Sequence, residues 1–193
     1  MAPQNPVLIV VTGPPASGKT SAARTLAERL QIPFLPKDTF KERLYESFGS
    51  DEELEERIEA AALAILFSVV ESQLAAGVTI VAESNFDAKF DTARLEELAS
   101  EHDAQILQVH VGGETEALVA KFARRAASGK RHPGHGDEPE DADEVRAKIE
   151  AGFWDPLPLP GTLIRADMED DEDEIAARVR RQLERDEEAG EQN

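Results

Sequence analysis

The chain contains no cysteine in 193 residues. This absence excludes disulfides, thiolate metal sites and cysteine nucleophiles, and it fits a reducing compartment. Long apolar runs are also missing from the sequence: none approaches the roughly 18 residues of a membrane span. The N-terminal stretch MAPQNP lacks the charged and apolar regions of a signal peptide. We therefore expect a cytoplasmic protein that does not enter a membrane.

Positive charge is scarce: 21 Lys and Arg face 40 Asp and Glu, which leaves a formal net charge of −19. A surface this acidic repels nucleic acid at long range, so a polynucleotide substrate would need a local basic groove. We expect a small-molecule partner rather than nucleic acid. An acidic, salt-adapted proteome would produce the same charge without any bearing on function.

The stretch GPPASGKT begins at Gly13 and has the spacing G-x-x-x-x-G-K-T. It follows the apolar run Val7 to Val11 and leads into a predicted helix from Ser21 to Leu30, which is the context of a phosphate-binding loop. Gly13 and Gly18 permit backbone angles that a side chain would penalise, so that successive N–H groups can converge on phosphate oxygens. The helix start adds its unpaired N–H groups and its dipole.

Two side chains of this loop have chemical duties of their own. Lys19 supplies a point charge to the terminal phosphates, and the Thr20 hydroxyl suits a Mg²⁺ ion that keeps most of its waters. The residues expected to bind the nucleotide are Gly13, Pro14, Pro15, Ala16, Ser17, Gly18, Lys19, Thr20 and Ser21. An accidental glycine turn before a helix is the alternative. The motif alone does not separate a kinase from an ATPase or a nucleotide switch.

Apolar runs alternate with helical patterns along the rest of the chain, which predicts a parallel sheet covered by helices on both faces. The predicted strands are residues 7–11, 32–35, 78–82, 106–111 and 162–166. The predicted helices are residues 21–30, 38–48, 51–76, 87–101, 114–127, 142–151 and 170–187, with Ser50 and Glu53 as a capping box for the third of them. We expect residues 1–193 to form one α/β domain with a mobile lid at about 124–143 and an acidic C-terminal helix and tail at about 170–193. Ligands of such sheets bind beyond the carboxyl ends of the strands.

Polar residues follow two of the predicted strands. Asp38 comes directly after the second strand, where it could orient an acceptor hydroxyl or take its proton. It could equally cap the helix that starts at Thr39. Glu83 ends the third strand, where an acid could hold the water shell of the metal or position an acceptor, or could simply leave the sheet. Asn85 suits a contact with substrate or a turn.

The densest basic cluster of the chain lies at a helix end and in the following loop of Gly, Pro and charged residues. It consists of Arg124, Arg125, Lys130 and Arg131. Guanidinium groups match phosphate geometry, so these arginines could close over a nucleotide as a lid. Alternatively, the first two complement the negative carboxyl end of their helix.

Three further residues are candidates for contact with substrate. Arg43 lies on the helix after Asp38, and His132 and His135 lie in the loop motif RHPGH. Two histidines in a loop lack the further ligands that a metal site needs, so we favour substrate or nucleotide contact, or a plain loop role, over metal binding.

Taken together, GPPASGKT, FLPKDTFKERL, ESNF and the arginine-bearing lid resemble the small P-loop kinases that include polynucleotide 5′-kinase, chloramphenicol phosphotransferase and zeta-toxin-like enzymes. The similarity spans roughly residues 7–167. It implies an adenylate-kinase-like sheet of five parallel strands and an ATP- and Mg²⁺-dependent transfer. Asp38 would be the acceptor base, and Arg124, Arg125 or Arg131 would stabilise the transferring phosphoryl group.

The chain departs from polynucleotide kinases because nothing outside the lid builds a basic channel. We therefore expect a phosphotransferase that acts on a hydroxyl of a small molecule such as an antibiotic, a sugar or a nucleoside-like metabolite. A nucleic-acid 5′-hydroxyl kinase and a nucleotide-switch ATPase are the alternatives. Metal contact is expected at Thr20 and Glu83.

Overall fold

The computed structural model describes residues 5–49, 52–135 and 137–190, without the side chains of residues 52, 53 and 190. Ser50, the expected helix cap, lies outside this part of the chain, and so does the frayed end of the acidic tail. The described strands are β1 (Val7–Thr12), β2 (Phe34–Pro36), β3 (Ile80–Glu83), β4 (Gln105–Gly112) and β5 (Thr162–Asp167). The described α-helices are α1 (Lys19–Leu30), α2 (Lys37–Phe48), α3 (Glu52–Ala75), α4 (Thr92–Glu101), α5 (Thr115–Ala127), α6 (Ala142–Glu150) and α7 (Glu172–Gly190).

The five strands form one parallel sheet in the order β2-β3-β1-β4-β5. Alternate residues of β1 belong to two separate cores: Ile9 and Val11 pack with α1 and α7, whereas Leu8 and Val10 pack with α3 and α4. This arrangement confirms the predicted α/β fold with helices on both faces. Because β3 lies between β1 and β2, the ends of all three strands meet at one edge of the sheet.

The start of β2 differs from the predicted strand over residues 32–35. Gln31 adopts a left-handed conformation at the end of α1, and the Ile32 N–H donates to the Ala27 carbonyl at 3.1 Å. Ile32 therefore belongs to the C-terminal turn of the helix, and the strand begins only at Phe34.

Helix α4 begins at Thr92 and not at residue 87. The Asp91 carboxylate accepts from the Asp87 N–H at 2.7 Å, and the Asp87 carboxylate accepts from the Lys89 N–H at 2.7 Å. These side chains satisfy the local backbone in a turn and so compete with the helix.

Helix α3 contains a segment, Leu54–Ala75, that is long and apolar enough by composition to cross a membrane, with a mean hydropathy of 1.6. It is not an uninterrupted apolar run, because five charged residues lie within it: Glu55, Glu56, Arg57, Glu59 and Glu71. Side chains four residues apart along it are buried, as in a helix that covers a sheet. These residues are Ile58, Ala62, Leu66, Val70 and Leu74.

The lid segment after α5 contains two short 3-10 turns, Pro133–His135 and Pro139–Asp141. It folds back onto α2: Gly134 lies against the Tyr45 ring, and His135 bonds to Glu42 at 2.9 Å. The lid thus lies across the end of the sheet that carries the phosphate loop. Its mobility and the single-domain boundary at 1–193 stay predictions.

Gly161 directly precedes β5 and packs closely against the backbone of β4. Its φ is +96°, and a Cβ there would lie 2.2 Å from the Ile106 carbonyl oxygen. We expect Gly161→Ala to lower the free energy of unfolding by about 2–5 kcal/mol, since backbone strain and steric overlap add. Gly77→Ala is the control, because its φ is +72° with nothing within 4 Å of the new Cβ. It should cost only about 1–2 kcal/mol. Urea unfolding curves compare the two, and equal losses would contradict the packing at Gly161.

Candidate active site

The phosphate loop occupies the turn between β1 and α1, as the motif predicts. Gly13 has a φ of +145°, and a Cβ on it would lie 2.1 Å from the Val111 carbonyl oxygen of β4. Only glycine fits there without a shift of the backbone. Gly18 is the N-cap residue of α1, so the helix begins directly at Lys19. The N–H groups of the first helical turn face the loop.

Two polar side chains of the loop, those of Ser17 and Lys19, are buried and poorly hydrogen-bonded. The Ser17 hydroxyl is fully buried and has no hydrogen-bond partner among residues 5–49, 52–135 and 137–190. The buried Lys19 ammonium donates to the Pro14 carbonyl at 3.3 Å, a long bond for a charged donor. Burial lowers the pKa of Lys19, although the nearby carboxylates of Glu83 and Asp38 oppose this effect. An anion such as a phosphate group would satisfy both donors.

Glu83 lies at the end of β3, in register with Val11 on one neighbour and Pro36 on the other. Its side chain is buried near the Thr20 hydroxyl. Burial raises the pKa of the Glu83 carboxyl, and the charge of Lys19 and, less strongly, the Thr20 hydroxyl only partly offset this. A buried carboxyl beside a hydroxyl at the first helical turn is a donor set that suits Mg²⁺.

Asp38 does not cap its helix. Helix α2 starts at Lys37 with Pro36 as its N-cap residue, and no side-chain capping bond is present. The Asp38 carboxylate instead accepts from Arg131 of the lid at 3.0 Å and lies 3.8 Å from the His135 ring. This geometry decides against the capping alternative. It places the carboxylate between α2 and the lid.

Positive groups surround the Asp38 carboxylate. Burial alone would raise its pKa, but the surrounding charges outweigh burial and the pKa lies below its usual value. These groups are His135, Lys37, Arg131 and Lys19. Asp38 is therefore ionised at neutral pH, as a group that accepts a hydroxyl hydrogen bond must be.

Two of the lid arginines converge on one acid. One oxygen of Asp137 accepts from Arg125 at 2.9 Å and also from Arg131. The Nε of Arg125 is buried, with no hydrogen-bond partner in the part of the chain that the structure describes. Burial, and next to it the charge of Arg131, lowers the pKa of the Arg125 guanidinium. This unused N–H could donate to a phosphate oxygen.

Most of these groups line one cavity of about 410 Å³ at the carboxyl end of the sheet, whereas Ser17 and Glu83 are not among its lining residues. Its walls come from the phosphate loop, α2, α3, the end of β3, α5 and the lid. Among the described residues the cavity is lined by Pro15, Lys19, Thr20, Lys37, Asp38, Lys41, Glu55, Glu56, Glu59, Asn85, Arg125, Arg131, His135 and Asp137. Phosphate donors, a carboxylate and lid cations thus share one space.

Residues 8–148 match the family model AAA_33, which describes an AAA domain. The match covers more than half of the chain. The chain belongs to the AAA_33 family. No curated protein matches it.

Solved structures place this AAA_33 chain among P-loop kinase-like folds. A proposed kinase from Chloroflexus aurantiacus J-10-fl is 37% identical, with a TM-score of 0.83 over 92% of this chain and 98% of that one. Kti12 from Chaetomium thermophilum, solved with ADP-AlF3, is 21% identical, with a TM-score of 0.64 over 89% and 96%. The APS kinase CysC of Mycobacterium tuberculosis, solved with AMPPNP and APS, is 19% identical, with a TM-score of 0.58 over 94% and 99%.

The family match and these structures identify a nucleotide-binding domain of the P-loop kinase-like class. The two structures below 25% identity support the fold alone. The narrower resemblance to polynucleotide 5′-kinase, chloramphenicol phosphotransferase and zeta-toxin-like enzymes stays a prediction.

Eight of the eighteen predicted site residues of this AAA_33 chain line the cavity: Pro15, Lys19, Thr20, Asp38, Asn85, Arg125, Arg131 and His135. Of the other ten, five belong to the phosphate loop, Glu83 is buried at the end of β3, and the remaining four make other contacts or face solvent. Arg124 points to solvent from α5, and Arg43 pairs with Glu46 on the exposed face of α2. His132 packs edge-on against Tyr45, and Ser21 is exposed on α1. Helix geometry explains why Arg124 lies outside the cavity: Arg124 and Arg125 lie about 100° apart around α5, so only one of them can face the loop.

Six lining residues were missing from the prediction: Lys37, Lys41, Glu55, Glu56, Glu59 and Asp137. Lys37 and Lys41 of α2 both pair with Glu59 of α3, the second at 3.0 Å, and Asp137 holds the lid arginines. Burial alone would raise the pKa of Glu59, but the two lysines outweigh it and lower that pKa. The four-residue spacing of Lys37 and Lys41 could have indicated that both lie on one face of the helix that carries Asp38. Nothing in the sequence indicates that Glu59 faces them.

The buried imidazole of His135 makes stability depend on pH. Burial lowers its pKa, although its bond to Glu42 opposes this shift. The other charged groups that act on the imidazole are Arg131, Asp38 and Lys41. Because the folded-state pKa lies below the unfolded value of about 6.5, the unfolded chain binds the proton more readily. Stability should therefore fall as the pH drops through about 6.5 and level off below the folded-state pKa.

As the pH is lowered from 8 to 5, we expect the free energy of unfolding to fall less for His135→Gln than for the wild type. Urea unfolding at several pH values measures this difference. The variant must be compared with the wild type because burial also lowers the pKa of His110, which adds to the pH dependence of stability in both proteins. Parallel pH profiles would contradict a titrating His135.

Proposed function

We propose that the protein transfers the γ-phosphoryl group of ATP to a hydroxyl group of a small molecule. One observation supports this most: Asp38 lines the cavity of the phosphate loop and contacts the lid through Arg131, and it does not cap its own helix. A carboxylate in that position has no evident duty in a nucleotide switch.

The residues divide the work of phosphoryl transfer among them. The loop amides and Lys19 hold the phosphates, and Asp38 orients the acceptor hydroxyl and accepts its proton. As the acceptor oxygen bonds to phosphorus, the bond from phosphorus to the ADP oxygen breaks. Arg125 and Arg131 of the lid then offset the negative charge on the transferring group.

Thr20 and Glu83 are the residues that would hold Mg²⁺, directly or through its waters. When bound, this ion would neutralise charge on the phosphate oxygens. The fit rests on the proximity of the Thr20 hydroxyl to the buried Glu83 carboxyl.

Charge supports a small acceptor over a polynucleotide. The lid arginines and the α2 lysines are already paired with Asp137, Asp38 and Glu59, so they do not form an open basic channel. The chain as a whole carries a net charge of −19. Such a surface opposes a polyanion at long range.

A transfer screen with γ-³²P-labelled ATP and Mg²⁺ tests the proposal. The acceptors are small alcohols, sugars, nucleosides and oligonucleotides with 5′-hydroxyl ends. We expect label on a small molecule and none on the oligonucleotides. ATP hydrolysis without transfer to any acceptor would support the switch alternative. Transfer to oligonucleotides that weakens steeply with salt would support the nucleic-acid kinase.

A further inference from the structure

One wall of the cavity, formed by α2 and α3, takes part in no step above. Lys37 and Lys41 lie four residues apart on α2, and each binds a different oxygen of Glu59 on α3. Asp38 sits beside Lys37 in the first turn of the same helix. An acceptor whose hydroxyl meets Asp38 therefore extends along this wall of Lys37, Lys41 and Glu59, here called the α2–α3 wall.

The α2–α3 wall offers both hydrogen-bond donors and acceptors. An ammonium group has three N–H donors, and each lysine uses one on Glu59. Each carboxylate oxygen of Glu59 has a further lone pair, and the amide of Asn85 adds a donor and an acceptor at the cavity edge. Hydroxyl groups donate and accept at once, so a molecule with several of them matches this wall.

Aromatic surface for a nucleobase is missing from the cavity. No Phe, Tyr or Trp side chain lines it among the described residues. Trp154 packs with Ala16, Phe122 and Val145 in a separate cluster. The one ring that does line the cavity, His135, has only 5% of its side chain exposed. Protein sites for single bases depend on stacking against such rings, so this cavity does not favour a nucleoside.

The charge around the wall opposes an anionic acceptor. Two ammonium groups face four carboxylates on this side of the cavity: Asp38, Glu55, Glu56 and Glu59. Both ammonium groups are already paired with Glu59, whereas Glu55 and Glu56 line the cavity without an ion pair to any described residue. A carboxylate or phosphate group on the acceptor would meet net negative charge here.

From these features we propose that the acceptor is a polyhydroxylated compound without negative charge, of the sugar or polyol class, held by the α2–α3 wall. The inference rests on the phosphotransferase function proposed above. It selects one of the acceptor classes that the phosphate loop and Asp38 leave open.

The test combines an acceptor panel with one wall variant and one matched control. The panel contains neutral sugars and polyols, the corresponding sugar acids, and nucleosides. Lys41→Met removes the ammonium donors but keeps an unbranched side chain. Arg57→Met is the control, since it removes one positive charge from an exposed position of α3 outside the cavity. Circular dichroism and thermal unfolding establish that both variants fold.

We expect neutral polyols to be the best acceptors. Lys41→Met should raise their KM by roughly tenfold to a hundredfold, the usual effect of losing a charged hydrogen bond, with the KM for ATP unchanged. Arg57→Met should leave both values unchanged. If Lys41→Met does not fold, Glu59→Gln keeps the size of the side chain while removing its charge and should show the same selective rise.

Two outcomes would overturn the inference while leaving the kinase intact: faster transfer to nucleosides or sugar acids, or a Lys41→Met effect on ATP rather than on the acceptor. Calorimetric binding of the same panel, with a non-hydrolysable ATP analogue present, separates the two proposals. If polyols bind, Lys41→Met weakens that binding and no transfer occurs, the α2–α3 wall is a polyol site and the phosphotransferase proposal is wrong. If polyols do not bind, the proposed role of the α2–α3 wall is wrong.

Discussion

Replacing Asp38 by Asn is expected to lower turnover by about 10²–10⁴-fold while the affinity for ATP changes little. The amide keeps the shape of the side chain but cannot accept the acceptor proton. Asp38 is not a helix cap, so the substitution leaves the start of α2 intact. Single-turnover transfer measures the chemical step, and fluorescence titration with an ATP analogue measures the affinity.

A matched control for Asp38→Asn lies on the same helix. Glu46→Gln also converts an acid to its amide on α2, but Glu46 is exposed and lies outside the cavity. We expect Glu46→Gln to retain wild-type turnover. If Asp38→Asn instead abolished ATP binding, Asp38 would have a structural or metal role, and only a nucleotide-binding protein would be supported.

Arg125→Met should lower turnover by about 10³–10⁵-fold, the range found when an arginine that stabilises phosphoryl transfer is removed. Arg125 lines the cavity, pairs with Asp137, and has a buried Nε with no hydrogen-bond partner among the described residues. Its side chain thus lies in the same cavity as Lys19 and Thr20 of the phosphate loop. The loss should appear in turnover more than in ATP affinity, because the negative charge to be stabilised grows on the transferring group.

Its neighbour Arg124 allows a direct comparison. Arg124→Met removes the same charge one residue away, on the exposed side of α5. We expect near wild-type turnover from it. Equal losses in the two variants would mean that the overall charge of the helix matters and not the position of one guanidinium, and the lid assignment would be wrong.

Local sequence patterns were sufficient for the fold and for the phosphate loop. Strand β1 and the loop from Gly13 to Thr20 follow from short-range requirements: an apolar run, glycines at strained positions and a helix start. The boundary of β2 was wrong because the turn that closes α1 absorbs Ile32, a competition that periodicity does not reveal.

The sequence predicted only part of the candidate site, because the rest depends on contacts between remote segments. Asp38 and Glu83 could be predicted as site residues because Asp38 closely follows β2 and Glu83 ends β3, and parallel strands bring their ends to one edge. The choice between capping and chemistry for Asp38 depended on Arg131, which is 93 positions away in sequence. The role of Glu59 likewise depends on the packing of α3 against α2.

The sequence by itself determined that a parallel α/β sheet carries a phosphate loop, because these features are encoded by residues close together in the chain. Only the tertiary structure decided which charges share the cavity: Arg125 and not Arg124, the Glu59 bridge to two lysines, and Asp137 between the lid arginines. The physical reason is that a hydrogen bond or ion pair requires an approach of about 3 Å. Composition and periodicity do not specify such distances between remote segments.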